Sequence, residues 1–206
     1  MTTGLFIALE GGEGAGKSTQ TERLRLHLES LGFEVVVTRE PGGTPTAEKI
    51  RNILLDPSIH DMPDETEALL FAASRADHAE NKIRPALARG AVVLCDRYID
   101  SSVAYQGAAR GLGIDRVRAL SEWATRELHP DFTIYLDVPA DASAERMEGT
   151  DRMEIQSADF HIRVQQAFRD IAAASTRPHI VVDATLSIEQ VTSEILAALT
   201  PLLEKQ

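Results

Sequence analysis

Cysteine is nearly absent from this chain: Cys95 stands alone among 206 residues. A single thiol excludes an intramolecular disulfide and any metal centre assembled from several thiolates. Long hydrophobic runs are missing too. No stretch approaches the roughly 20 apolar residues of a membrane span. The run 5–9 is too short for a signal segment, and no basic segment precedes it. Positive charge is in deficit, with 21 Lys and Arg against 32 Asp and Glu and a formal net charge of -11. That balance argues against a surface built to coat nucleic acid. There is no internal repeat, low-complexity tract or linker. Together these absences imply a cytoplasmic, acidic protein with a single domain over 1–206 that binds neither nucleic acid nor a membrane. What is present is ordinary for a globular chain, 43% hydrophobic and 26% charged residues. The length suffices to bury roughly 70% of the unfolded surface.

Five short apolar runs recur at 5–9, 35–37, 91–94, 132–136 and 180–182, with helical patterns between them. Continuous apolar strands indicate burial on both faces, as in a parallel sheet covered by helices. Leu24, Leu28 and Leu31 repeat at helical spacing, and Gly32 supplies a stop. The segment 65–80 reads as a helix burying Leu69, Leu70, Phe71 and Ala73. Asp115 is placed to cap a helix bearing Val117, Leu120 and Trp123. Phe160, Val164, Phe168 and Ile171 mark another helix, and Ser187 with Gln190 forms a capping box before the last. The expected architecture is α/β, a five-stranded parallel sheet flanked by helices in three layers. Ligands are then expected at the carboxyl ends of the strands.

The first run leads directly into Gly11-Gly12-Glu13-Gly14-Ala15-Gly16-Lys17-Ser18. This satisfies the phosphate-loop pattern G-x-x-x-x-G-K-[ST] between a strand and a helix. Glycines let successive backbone N–H groups turn inward around a phosphate, and the helix start adds its positive end. Lys17 is positioned to reach the β- and γ-phosphates, and the Ser18 hydroxyl to bind Mg2+. Asp96, at the tip of the 91–94 run, is the candidate acid for the same ion. Cys95 reads as a small core residue, because a strand interior offers neither exposure nor an activating base.

A phosphate loop does not choose a reaction. A guanine-reading Asn-Lys-x-Asp is missing, since Asn81-Lys82-Ile83-Arg84 lacks the aspartate. The chain offers arginines instead: Arg39, Arg97, Arg110, Arg146 and Arg152, drawn from a basic set of 17 arginines and 4 lysines. Moving a phosphoryl group between two anions needs several fixed cations, and the planar guanidinium suits that task. The pattern favours a nucleotide kinase over a switch GTPase. An idle ATP-binding module is the rival from outside the enzymes, opposed by the joint presence of Lys17, Ser18, Asp96 and Arg97.

Several strings resemble thymidylate kinases across essentially the whole chain, in the expected order. They are Ala8–Thr19, Thr38-Arg39-Glu40-Pro41-Gly42-Gly43-Thr44, Asp96-Arg97-Tyr98, the stretch from Ser101 through Tyr105-Gln106-Gly107, Tyr135-Leu136-Asp137, Phe160-His161-x-Arg163-Val164 and Asp183-Ala184-Thr185. The resemblance implies a phosphate-loop kinase fold, transfer of the γ-phosphoryl of ATP to dTMP with Mg2+, and a homodimer. It makes Glu13 the acceptor of the dTMP 3′-hydroxyl and Arg97 the clamp on the dTMP phosphate, helped by Arg39. It stacks Phe71 on thymine and aims Arg75 at the base's carbonyl edge. It sets Ser102 near the base and Tyr105 under the deoxyribose, and it leaves the role of Gln106 beside them open. It assigns ATP to Gly11 through Thr19, to Arg146 on adenine and to Asp183. Gly14 stands where one subgroup carries an arginine, so a short mobile lid at about 145–156 is expected to supply the transition-state cation. Arg152 is the candidate.

Overall fold

The computed structural model describes residues 4–139, 142 and 151–204. All five expected strands form: β1 (Leu5–Glu10), β2 (Val35–Arg39), β3 (Val92–Asp96), β4 (Phe132–Asp137) and β5 (His179–Asp183). They make one parallel sheet in the order β2-β3-β1-β4-β5. Every residue of β1 is buried, as befits the central strand. The edge strands β2 and β5 leave Val37 and Val181 exposed.

Alternation along β1 sorts its side chains into two cores. Leu5, Ile7 and Leu9 join Leu24 and Leu28 of α1 (Lys17–Ser30) and Val191, Ile195 and Leu199 of α8 (Ile188–Leu203). Phe6 and Ala8 face the other way, toward Val103, Ala104, and Phe160, Val164 and Phe168 of α7 (Ala158–Ala174). A sheet with apolar helices on both faces is thus the consequence of strands whose consecutive apolar residues point to both sides. The Ser187–Gln190 capping box opens α8 as the sequence implies.

Three local expectations are corrected. The helix at 65–80 is α3 (Asp64–His78), and it passes through a π-helical turn, Ala79–Ile83, into α4 (Arg84–Ala88). Pro85 has no N–H to offer the carbonyl four residues back, which accounts for a widened turn at this point. The helix also buries a different face from the one expected. Leu69 is 58% exposed and Ala73 is exposed, whereas Glu67, Ser74, Arg75 and His78 are buried. Hydrophobicity misplaces the helix because its inward side lines a polar site. Finally, α6 (Ile114–Thr125) is preceded by Gly113, and Asp115 lies in its first turn rather than at the cap. Its Trp123 is 79% exposed.

Cys95 is fully buried within β3, and burial, then the charges of Glu40 and Asp96, push its thiol well up. It is expected to resist a thiol-specific reagent in the native protein and to react with one equivalent once urea unfolds the chain. Reaction of the native protein at the rate of a free thiol would contradict this burial.

Candidate active site

The carboxyl ends of β1, β2 and β3 open on a cavity of about 620 Å³. Its wall includes Glu13 through Thr19, Arg39, Phe71, Arg75, Asp96, Arg97, Ser102, Tyr105 and Gln106. The structure therefore gathers most of the residues singled out in the sequence, from both the phosphate loop and the acceptor side.

The turn after β1 requires its first glycine. Gly11 has φ 143°, and a Cβ there would stand 2.5 Å from the Leu136 carbonyl oxygen. Gly11 and Gly12 turn their carbonyls toward Lys17, whose Nζ donates to them at 3.2 and 2.7 Å. Burial, then the neighbouring Arg97, lower the Lys17 pKa, while Asp96, Glu13 and Glu10 oppose the shift. The ammonium is thus parked on groups that a phosphate would replace.

Arg97 holds a left-handed backbone, φ 68°, costly for a residue with a Cβ and typical of functional positions. Its N–H donates to the Leu9 carbonyl at 2.9 Å, tying it to β1. Nη1 donates to the Gly11 carbonyl at 2.9 Å and to Ser101 Oγ at 3.2 Å, and Nη2 stands 2.7 Å from Glu13 Oε1. Tyr105 donates its hydroxyl to the same carboxylate oxygen at 3.0 Å, and its ring lies 5.1 Å from the guanidinium carbon. Burial alone would raise the Glu13 pKa, but Arg97 and Lys17 outweigh it and hold the group at about 2. Glu13 is therefore an ionised acceptor at any physiological pH.

Beneath them lies Glu10, which the sequence reading missed. It accepts from the Tyr98 N–H at 2.8 Å and from the Ser101 hydroxyl at 2.5 Å, fixing the turn that carries Arg97. Burial and the nearby Asp100 push it up to about 7 against the bonds it accepts.

The expected metal position has the right chemistry. Asp96 Oδ1 is buried with no hydrogen-bond partner among the described residues, and Ser18 lines the same cavity. Those residues contain no cluster of three or more His, Cys, Asp or Glu. Two hard oxygens and no closed cage fit Mg2+, which keeps waters and phosphate oxygens in its shell.

On the acceptor side, Phe71 and Arg75 stand one helical turn apart on α3 and both line the cavity. Arg75 is 1% exposed. Its Nε donates to Glu40 Oε2 at 2.6 Å, Nη1 to Ser121 Oγ at 3.0 Å, and Nη2 to the Tyr98 carbonyl and Ser102 Oγ at 2.9 and 3.0 Å. Glu40 also engages His78 Nδ1 at 2.9 Å, and His78 Nε2 meets Thr38 Oγ1 at 2.6 Å. Ser102 is thus Arg75's partner; Glu40, which the Thr38–Thr44 string contained without a role, and His78 and Ser121, which no motif announced, complete the network. Gln106 donates Nε2 to Glu67 Oε1 at 2.9 Å, while its Oε1 is buried without a partner among the described residues.

Some expected residues lie elsewhere. Arg39 reaches the cavity wall but pairs with Glu48 at 3.0 Å. Asp183 sits exposed at the tip of β5, accepting from the Thr185 N–H and hydroxyl, and is not part of the cavity wall. Arg146 lies outside the described residues. Arg152 is buried with other partners: Nη2 pairs with Glu67 Oε2 at 2.6 Å and Nε donates to the Leu54 carbonyl at 2.8 Å. Its neighbours Asp151, Met153 and Glu154 line the cavity, but Arg152 does not.

Comparison with known proteins is consistent across the chain. The family model described as Thymidylate kinase matches residues 9–195. A thymidylate kinase of Clavibacter sepedonicus is 53% identical over 199 residues, covering 95% of this chain and 94% of that protein. One of Pseudomonas fluorescens is 48% identical over 206 residues, with 98% of each chain covered. One of Bifidobacterium longum subsp. infantis is 51% identical over 205 residues, covering 98% of this chain and 88% of that one.

Proposed function

Since the chain belongs to the thymidylate kinase family, we propose that it transfers the γ-phosphoryl group of ATP to dTMP, giving dTDP, with Mg2+. The observation that carries this reading is the sharing of one cavity by a phosphate loop and the side chains of Phe71, Arg75, Ser102 and Gln106. The loop's N–H groups and Lys17 receive the ATP phosphates, the lysine exchanging the Gly11 and Gly12 carbonyls for phosphate oxygens. Ser18 and Asp96 would hold Mg2+, which neutralises charge on the phosphates when bound.

Thymine suits the other half. Phe71 offers a ring face, and Arg75 has one Nη1 hydrogen beyond the one given to Ser121. That donor matches thymine O4, and the unpaired Gln106 Oε1 matches the N3–H. Cytosine presents the opposite pattern at both positions, an amino group and a bare ring nitrogen. It would leave buried groups mispaired, the costly kind of error. Glu13 accepts the 3′-hydroxyl, and the Tyr105 ring closes the sugar site. Arg97 bridges the acceptor phosphate and the transferring group, with Arg39 at its edge. No general base is required, because the dTMP phosphate is already an anionic nucleophile. Positioning, charge neutralisation and exclusion of water are the work the protein does.

The test is an ATP-consumption assay across dTMP, dUMP, dCMP, dGMP and AMP, with and without Mg2+. dTMP should be strongly preferred, and ATP turnover without an acceptor should be slow. Equal rates for all five acceptors would refute the specificity, and rapid acceptor-free hydrolysis would refute the kinase reading. In the same proposal the protein works in the cytoplasm as a homodimer. The exposed Leu69 and Trp123, on the mutually packed α3 and α6, are apolar surface available to a second copy. No helix among the described residues is long and apolar enough to cross a membrane.

A further inference from the structure

Glu67 is 1% exposed and is engaged on both oxygens. Oε1 accepts from Gln106 Nε2 at 2.9 Å and from Arg110 Nε at 3.2 Å. Oε2 takes Arg110 Nη2 at 3.1 Å and Arg152 Nη2 at 2.6 Å. Two guanidiniums from different parts of the chain therefore converge on one buried carboxylate, and a neutral amide completes the set. Of this cluster the proposed chemistry uses only Gln106.

We propose that Glu67 is a positioning residue for acceptor specificity: as an acceptor-only carboxylate held between Arg110 and Arg152, it fixes the Gln106 amide with Oε1 left for the base. An ionised carboxylate has no proton to give. It can therefore take only the NH2 end of Gln106, and the carbonyl end is left without a partner among the described residues. With a partner that donates as well as accepts, the amide could turn over and present NH2, the group that suits the bare N3 of cytosine. Arg110 and Arg152 secure the ionised state. Burial would raise the Glu67 pKa, but the bonds from Gln106 and Arg110 and the charges of both arginines hold it below the ordinary value. Arg152 thus acts on the acceptor through Glu67 rather than at the transferring phosphoryl group. This inference rests on the reading of Gln106 as a thymine contact.

The experiment measures kcat/KM for dTMP and for dCMP in the wild type and in Glu67→Gln, Gln106→Ala, the double variant and Arg152→Met. The ratio of the two values does not depend on how much of a preparation is folded, so a destabilised variant still reports. Glu67→Gln should lower the dTMP-to-dCMP ratio by about tenfold or more, partly through an absolute rise with dCMP. A merely structural loosening would lower both values and leave the ratio alone. In the Gln106→Ala background, Glu67→Gln should have no further effect on the ratio. Arg152→Met should keep kcat for dTMP within about tenfold, against the loss of about 10^3 expected of a cation on the transferring group. If Gln106→Ala lowers the ratio but Glu67→Gln does not, the positioning role is overturned while the thymine contact stands. An unchanged ratio in Gln106→Ala overturns the contact itself and the proposal with it.

Discussion

Replacing Arg97 by alanine is expected to lower kcat with dTMP and ATP by about 10^3 or more, while ATP binding survives. The guanidinium is fixed by the Gly11 carbonyl, Ser101 and Glu13 before any substrate arrives, and its backbone is held at φ 68° by the bond to Leu9. A cation that needs no reorganisation at the moment of transfer contributes most to the transition state. Arg97→Lys should rescue little, because a point charge replaces a fork that serves three partners at once. The ATP side, built on the phosphate loop, should retain its affinity, which a fluorescent ATP analogue would report. A fall in kcat below about tenfold would move the clamp elsewhere.

The same variant has a consequence for pH. Glu13 sits at about 2 chiefly because Arg97 and Lys17 overcome its burial. A carboxylate whose folded pKa is depressed adds stability above its unfolded value, and that stability disappears as pH falls through the folded value. The wild type should therefore lose the Glu13 contribution between about pH 4.5 and 2. Without Arg97 the folded value rises toward the ordinary one, and the acid unfolding limb should flatten in that window. The limb is followed by far-ultraviolet circular dichroism.

The strands were legible because each carries at least three consecutive apolar residues, and the central strands, buried on both faces, leave no other pattern. The phosphate loop was legible because backbone wrapping demands glycine at fixed spacing. The polar half of the site was not legible from pattern. Glu40, Glu67 and His78 are charged or titratable residues inside the fold, and hydropathy assigns such groups to the surface. Only their partners, contributed from 35 to 85 residues away in the chain, make their burial tolerable. Leu69 misled for the complementary reason, an apolar residue facing outward because the inward face carries Glu67, Ser74, Arg75 and His78. Arg152 followed a motif string correctly in sequence, yet the side chain answers to the nearest buried anion, Glu67.

Glu40 is where such a network can be broken most decisively. Glu40→Ala leaves Arg75 buried at 1% exposure without its carboxylate, and it strips His78 of a partner on the same group. Removing one member of a buried pair costs about 3–5 kcal/mol, because the remaining charge is stranded away from water. With a urea slope of about 2 kcal/mol per M, the unfolding midpoint should fall by about 2 M at unchanged slope. Charge stranding and simple cavity formation are separated by a second variant. In Glu40→Leu combined with Arg75→Met both charges are gone, and the pair should be less destabilised than Glu40→Ala alone. A double variant that is worse than the single one would assign the loss to packing. Activity follows a different line from stability: the double variant, though better folded than the single one, lacks the donor proposed for thymine O4. It should show a raised KM for dTMP and weakened rejection of dCMP. On the proposed thymine contact, stability and base reading are coupled through one carboxylate: an apolar pair could outperform the buried ion pair in stability, but it would not supply the arginine's donor.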